Sequence, residues 1–287
     1  MTTHRILSLP LAVFLLAAAG LLAAAGLPAS GLAQGKSTLD AVKERGTLRI
    51  GAAQAEPWFF KDPATQQWSG FGIALGKGLA DSLGVKLDIV EVTWGNAIAA
   101  LQGNRIDLMA VLDATPERQQ AADFPKNPLL YYALALLVRD GLDVKNWDDL
   151  NRKDLTVAVT QGTTIDAHVT KVAPNATILR FPSNAETMAA FQSGRADAAS
   201  MFHPPMVILS QKIGKGRIVL PAPVYSAASS IAIRQEPDGR FREWLDVAVG
   251  RYYASNQTQV WYEEFLRSRG IDPGKVPAIR RELWPKS

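Results

Sequence analysis

AALQGNRIDLMAV, residues 99–111, lies without a gap over AAFQSGRADAASM, residues 189–201, and the two share Ala-Ala-x-Gln-x-x-Arg-x-Asp. Each copy reads as the end of a helix, a polar turn and an apolar strand, so one helix-turn-strand unit occurs twice. Around the first copy, residues 48–52 predict a buried strand, 73–83 a helix ended by Gly84, 86–92 a strand with alternating faces, 94–101 a helix and 106–112 a strand. Around the second, 155–160 predicts a strand, 165–172 a helix and 177–181 a strand. A helix over 185–192, opened by a Ser183/Glu186 capping box, and a strand over 196–201 complete the run. This alternation predicts an α/β fold in two lobes, each a mostly parallel sheet with flanking helices. The match makes Asp113 and His203 equivalent, each just past the carboxyl end of its strand. Open α/β sheets bind ligands at those ends, and two such halves facing each other would enclose a cleft.

Outward from these units, residues 138–150 are polar and turn-rich, as a crossing between lobes should be. A second crossing is expected near 226–234, where a small, β-prone stretch leads to two terminal helices over 241–253 and 257–269. Two crossings make a hinge.

The chain starts with His4 and Arg5, an apolar stretch over 9–27 and the breakers Pro28 and Gly31. Gly31-Leu32-Ala33 sets small residues before a cut at Gln34, so residues 1–33 are expected to be a signal peptide, rather than an uncleaved anchor. Cysteine is absent from all 287 residues, which removes a lipid-anchoring cysteine, disulfides and thiolate chemistry. The formal charge of +4 falls by the one base Arg5 on cleavage. With no basic run, the footprint of a nucleic-acid binder is missing. Only His168 and His203 follow the leader, so no metal site and no cofactor are expected. The glycines from Gly70 to Gly78 lack dinucleotide and phosphate-loop spacing, and no Gly-x-Ser-x-Gly elbow occurs.

LRIG (48–51), Pro57-Trp58, Gly70-Phe71, ALQGNRID, TPER (115–118) followed by Asp123-Phe124, QGTT (161–164) and GRADA (194–198) stand in one order. Together they resemble the family 3 periplasmic solute-binding proteins of polar amino-acid importers. The resemblance implies a type II two-lobed fold, with lobe 1 discontinuous over 37–137 and 231–287 and lobe 2 over 138–230. It implies a soluble, monomeric protein of the periplasm, not an enzyme, that hands a small carboxylate-bearing solute to an ABC permease in the inner membrane. It further implies that Arg118 grips the carboxylate, that Thr163 and Thr164 offer donors to it, and that Trp58 packs on the ligand. Two other occupations are open on this fold: a cyclohexadienyl-dehydratase-like enzyme, and a sensory or accessory protein that presents its ligand to another partner.

Departures from the family pattern bear on the ligand. Phe202 stands where the family usually has an Asp for the ligand's ammonium, Asp113 where a small hydroxyl residue is usual, and Glu56 where an aromatic is common. Two ligand types fit: an organic acid without an ammonium, held by Arg118 against Trp58 and Phe202, or an amine turned towards Asp113 or Glu56. The first is the simpler if Arg118 neutralises Asp113. Locally, Thr115 and Pro116 read as an N-cap and first helical residue, which puts Arg118 in a first turn where a cation opposes the helix dipole. A bound anion would reverse that sign, and an ion pair with Asp113 or Glu117 would do so equally. Gln161 to Thr164 can expose amide donors to a ligand or merely cap a helix. Trp58 and Trp94 can be cleft walls or core.

Overall fold

The computed structural model describes residues 37–284, and the expected signal peptide lies outside them. α1 (Thr38–Arg45) leads into β1 (Thr47–Ala52), a small hairpin of β2 (Phe60–Lys61) and β3 (Trp68–Ser69), α2 (Phe71–Leu83), β4 (Lys86–Glu91) and α3 (Ala97–Gln102). β5 (Leu108–Asp113), α4 (Pro116–Gln119), β6 (Ala122–Asp123) and the long β7 (Leu130–Val138) follow. The second run is β8 (Thr156–Thr160), α5 (Thr164–Val172), β9 (Thr177–Phe181), α6 (Asn184–Gln192), β10 (Ala198–Phe202), α7 (His203–Ile213) and β11 (Arg217–Val219). The chain returns through β12 (Ser226–Arg234) to α8 (Arg240–Ala254) and α9 (Gln257–Ser268).

Local chemistry accounts for most boundaries. Gly84 ends α2 with φ 67°, a left-handed conformation that glycine adopts without cost. The helix expected from Trp94 starts only at Ala97, because Thr93 and Asn96 tie the preceding turn: the Thr93 amide donates to Asn96 Oδ1 at 2.9 Å and the Asn96 amide to Thr93 Oγ1 at 3.2 Å. Only half of the expected capping box forms at α6, with Ser183 Oγ accepting from the Glu186 amide.

The strands run β4-β1-β5-β12-β7-β10-β8-β9, with β6 beside β12 and β11 beside β7. The flanks are parallel, β1 against β4 and β5, and β8 against β9 and β10. The middle is antiparallel: β7 pairs with β12 through Leu130–Ala133 and with β10 through Leu134–Val138. Buried apolar residues form two cores. One holds Leu48, Phe71, Leu108, Tyr132, Ile231 and Leu266; the other holds Leu134, Val157, Met188 and Met206. The change-over falls inside β7, between Tyr132 and Leu134. Trp147 and Leu150, in the segment expected as the first crossing, belong to the second core. LYYALALLV is apolar along its whole length, so one strand can be buried in both cores and itself carry the chain across. β12, in the stretch expected as the second crossing, buries Ile231, Ala232 and Ile233 in the first core alone. Among the described residues no helix is long and apolar enough to cross a membrane.

Candidate functional site

β5 and β10, the strands of the repeated unit, end at the same place. Between their carboxyl ends lies a cavity of about 30 Å³ whose walls include Trp58, Trp94, Asp113, Arg118, Thr163, Thr164 and Phe202. Seven of the eight residues singled out from the sequence therefore meet at one site. The space holds about one water, so a larger solute enters only if the lobes part or side chains move.

β5 delivers Asp113 through a bulge. Val111 stands unpaired between Ala110, opposite Ile231, and Leu112, opposite Ser230, and has φ 59°. A β-branched residue there is strained by about 1–3 kcal/mol, and the extra residue turns the strand's last side chains towards the cavity. Asp113 is 5 % exposed. Its carboxylate accepts from the Tyr132 hydroxyl on Oδ1 and the Thr164 hydroxyl on Oδ2. Burial pushes its pKa up, against the opposing pull of those two bonds and of the Arg118 charge. Burial and the Asp113 charge raise the Tyr132 hydroxyl well above the usual phenol range. The buried Ser229 hydroxyl makes no hydrogen bond of sound geometry, yet lies near enough to lower both groups.

Thr115 caps α4 by accepting from the Arg118 amide at 3.3 Å, with Pro116 next, as the sequence implied. The Arg118 guanidinium donates to the Asp113 carbonyl at 3.0 Å and to the Gly162 carbonyl at 2.9 Å. It thus bridges the two repeated halves through backbone oxygens, and among the described residues it forms no ion pair with Asp113 or Glu117. Gly162 has φ 73°, and a Cβ on it would sit 2.6 Å from the Gly95 Cα; two glycines let the halves touch. Thr163 performs the capping role, accepting from the Asp166 amide at 3.2 Å and donating to the Thr160 carbonyl at 2.7 Å. Thr164 spends its hydroxyl on Asp113.

Trp58 is 2 % exposed and Trp94 8 %, so both are core residues that also face the cavity. Phe202 stacks on Tyr132 with ring centroids 3.6 Å apart. Tyr132 and Asn184 line the cavity and escaped the sequence reading. Tyr132 lies in an apolar run that reads as core, and Asn184 directly follows a helix cap. The Thr160 hydroxyl donates to Asn184 Oδ1 at 2.7 Å.

Glu56 is the exception. It is 8 % exposed but does not line the cavity, because Lys212 Nζ of α7 and Arg269 Nε beyond α9 hold its two oxygens at 2.9 Å each. Arg269 is itself seated 4.0 Å from the Phe60 ring centroid. A carboxylate so paired is a tie between the two halves rather than a ligand group. Lys212→Met is expected to weaken solute binding by about 0.5–1 kcal/mol, two- to fivefold in Kd, the modest worth of a pair with one exposed member. Stopped-flow dissociation checks this, and an unchanged off-rate contradicts it.

A roomier apolar cavity of about 600 Å³ lies between α7, the loop before β12 and the C-terminal segment. It holds none of the eight residues and no carboxylate. Among the described residues no cluster of His, Asp or Glu could hold a metal ion.

Known proteins resemble the chain in sequence and in fold. Over 169 residues the chain is 32 % identical to a glutamine-binding protein of Geobacillus stearothermophilus, covering 57 % of this chain and 64 % of the relative. Over 179 residues it is 27 % identical to a cyclohexadienyl dehydratase of Pseudomonas aeruginosa, covering 60 % and 65 %. The matches thus span somewhat less than two thirds of each relative's own length. The crystal structure of an ancestral amino acid-binding protein, a precursor of cyclohexadienyl dehydratase, superposes with a TM-score of 0.72 at 33 % identity, over 80 % of this chain and 99 % of that one. With strands of two α/β halves converging on one cleft, and with residues 48–268 matching the family as a whole, the chain belongs to the bacterial extracellular solute-binding proteins, family 3.

Proposed function

We propose that the chain is the periplasmic substrate-binding component of an ABC-type importer and captures a small carboxylate-bearing organic solute between its lobes. The observation that carries this is the seating of Arg118. Its planar fork reaches the cavity and is bonded only to neutral carbonyls, one from each half, and a carboxylate offers the same fork a charged, bidentate partner. Thr163 and Thr164, Trp58, Trp94 and Phe202 complete the enclosure. Lobe 1 would comprise the chain up to β7 and from β12 onward, and lobe 2 the part between, with the two long strands as the hinge. Secretion through residues 1–33 would deliver the chain to the periplasm, and an inner-membrane permease would be its partner.

Because the ligand groups come from both lobes, binding should close them. Small-angle scattering is expected to show a smaller radius of gyration on adding a saturating carboxylate solute identified by thermal shift, where ligand at 100 times Kd adds about 2.7 kcal/mol of stability. Confirmed binding with unchanged scattering rejects the hinge.

One observation favours a second reading. Asp113 is a buried acid of raised pKa in a cleft, which is how enzymes prepare proton donors, and one relative is a dehydratase. Sustained turnover of prephenate or arogenate would replace capture by elimination, with Asp113 as the acid. Stoichiometric, saturable binding without turnover supports capture.

A further inference from the structure

Away from the cleft, the cavity of about 600 Å³ between α7, the loop before β12 and the C-terminal segment has a volume usual for a small-molecule site, about 300–1,000 Å³. Apolar side chains are left in water around it. Of the five large hydrophobic residues exposed among the described ones, Leu220 at 40 %, Val224 at 56 % and Leu283 at 53 % line this cavity. Exposed apolar groups that gather at one concave place mark a binding site, where single scattered ones need no explanation. The walls are fastened rather than slack. Trp284 Nε1 donates to the Ala278 carbonyl at 2.8 Å and the Tyr262 hydroxyl to the Pro277 carbonyl at 3.0 Å. The Tyr131 amide donates to the Ile279 carbonyl at 2.8 Å, so the C-terminal segment is held against α9 and β7. On the facing side Trp147 Nε1 donates to the Pro223 carbonyl at 3.2 Å and the Ala222 amide to the Lys145 carbonyl at 2.7 Å. The cavity is therefore kept by the fold itself, as pre-formed sites are.

The polar side chains of this cavity favour one sign of ligand charge. Its lining includes Lys275 and His203 and no Asp or Glu. Neither side chain has a hydrogen-bond or ion-pair partner among the described residues. Lys275 is exposed, while His203 is half-buried in the first turn of α7. Burial lowers the His203 pKa, so near neutrality the ring is an uncharged imidazole with one N–H to donate. We propose that this cavity is a second binding site, separate from the cleft, for an aliphatic or aromatic monocarboxylate, whose apolar body covers Leu220, Val224 and Leu283 and whose head meets Lys275 and His203. An ammonium head would face Lys275 with no acid to neutralise it, and a polyanion would leave charge against an apolar wall. Tyr132 lines both this cavity and the cleft, so the two sites are neighbours. They differ in capacity: the cleft cavity of about 30 Å³ takes about one water, and a chain of several methylenes fits the larger one alone.

Hexanoate, octanoate and decanoate, and the primary amine of each length, are titrated into the purified protein by calorimetry at neutral pH. One acid molecule is expected to bind per chain, with affinity rising about fourfold for each added methylene, the worth of burying one CH₂. The amines should bind about tenfold more weakly or worse. Leu220→Asp removes apolar contact and faces the head with a like charge, and should weaken octanoate by about tenfold or more. Lys275→Gln should weaken it by about two- to fivefold, as for an ion pair with one exposed member. Arg118→Ala should leave octanoate affinity unchanged, because the cleft is not its site. Failure of all three acids to bind, an affinity that stays flat along the series, or amines that bind as tightly as the acids overturns the proposal. Octanoate binding that survives Leu220→Asp and Lys275→Gln but is lost with Arg118→Ala overturns it too, since the acid would then sit in the cleft. Should Leu220→Asp not fold, Lys275→Gln against Arg118→Ala decides, because the Lys275 side chain is exposed and gives the fold no hydrogen bond or ion pair among the described residues.

Discussion

Truncating Arg118 to alanine is expected to weaken binding of the native solute by about 2–5 kcal/mol, as for other buried charge partners, while the melting temperature changes little. The argument starts from the helix that carries it. α4 is a single turn, so the macrodipole it presents is slight, and the unfavourable place of a cation in a first turn explains less than the sequence suggested. The guanidinium fork matters more. Two of its N–H groups reach the Asp113 and Gly162 carbonyls, both neutral acceptors. Exchanging the Gly162 carbonyl for a ligand carboxylate trades an ordinary hydrogen bond for a charge-assisted one, roughly twice as strong. The side chain is only partly buried, so its loss leaves no large void in the fold. Arg118→Lys should fall between the two, since an ammonium offers a point charge without the planar fork. Calorimetry with a thermal melt of each variant separates the effects. Normal affinity in Arg118→Ala shows that the anchor lies elsewhere.

How much of this could be read from the chain alone differs between fold and site. Strands and helices were legible because their apolar periods and their caps agree: Gly84, Thr115-Pro116, Thr163 and Ser183 each stop or start an element where the pattern changes. The repeated unit was legible for the same reason, and it pointed correctly to β5 and β10 as neighbours of one cavity. The passage between cores was not, because an apolar run such as LYYALALLV carries no mark of the residue at which its burial changes partner. Nor was the bulge at Val111, since nothing in a valine announces a positive φ. The site followed the same division. Arg118, Thr163, Thr164 and Phe202, picked out through ordered motifs, line the cavity. Glu56 stands away from the cavity, held by two cationic partners 156 and 213 residues distant along the chain, a pairing that only the folded structure reveals. Tyr132 was missed because a hydroxyl at the end of a buried ring is silent in a hydrophobic pattern until an acceptor such as Asp113 is brought to it.

Trp58 was expected to pack on the ligand, and its position gives it a second burden that should dominate its mutational effect. The ring is 2 % exposed. It stacks on Tyr262 at 6.0 Å with an interplanar angle of 24°, meets Phe71 edge-on at 6.0 Å and 80°, and tilts against Tyr132 at 6.0 Å and 54°. Those partners come from α9, α2 and β7, so one indole ties α9 and α2 to the strand that crosses between cores. Truncation to alanine removes the apolar surface of the largest side chain and leaves a hole that Tyr262 and Phe71, both fully buried, are poorly placed to fill. Such losses cost about 3–5 kcal/mol, and for a domain of this size each kcal/mol lowers the melting temperature by about 2–4 °C. The melt of Trp58→Ala without added solute should therefore move down by roughly 6–20 °C. Trp58→Phe, which keeps a ring in the gap, should lose markedly less. The cavity wall is made of the same atoms, so affinity should fall as well, but only after stability has been corrected for. A Trp58→Ala protein that melts like the wild type yet binds poorly would show an indole that belongs to the ligand and not to the core, and the packing argument would be wrong.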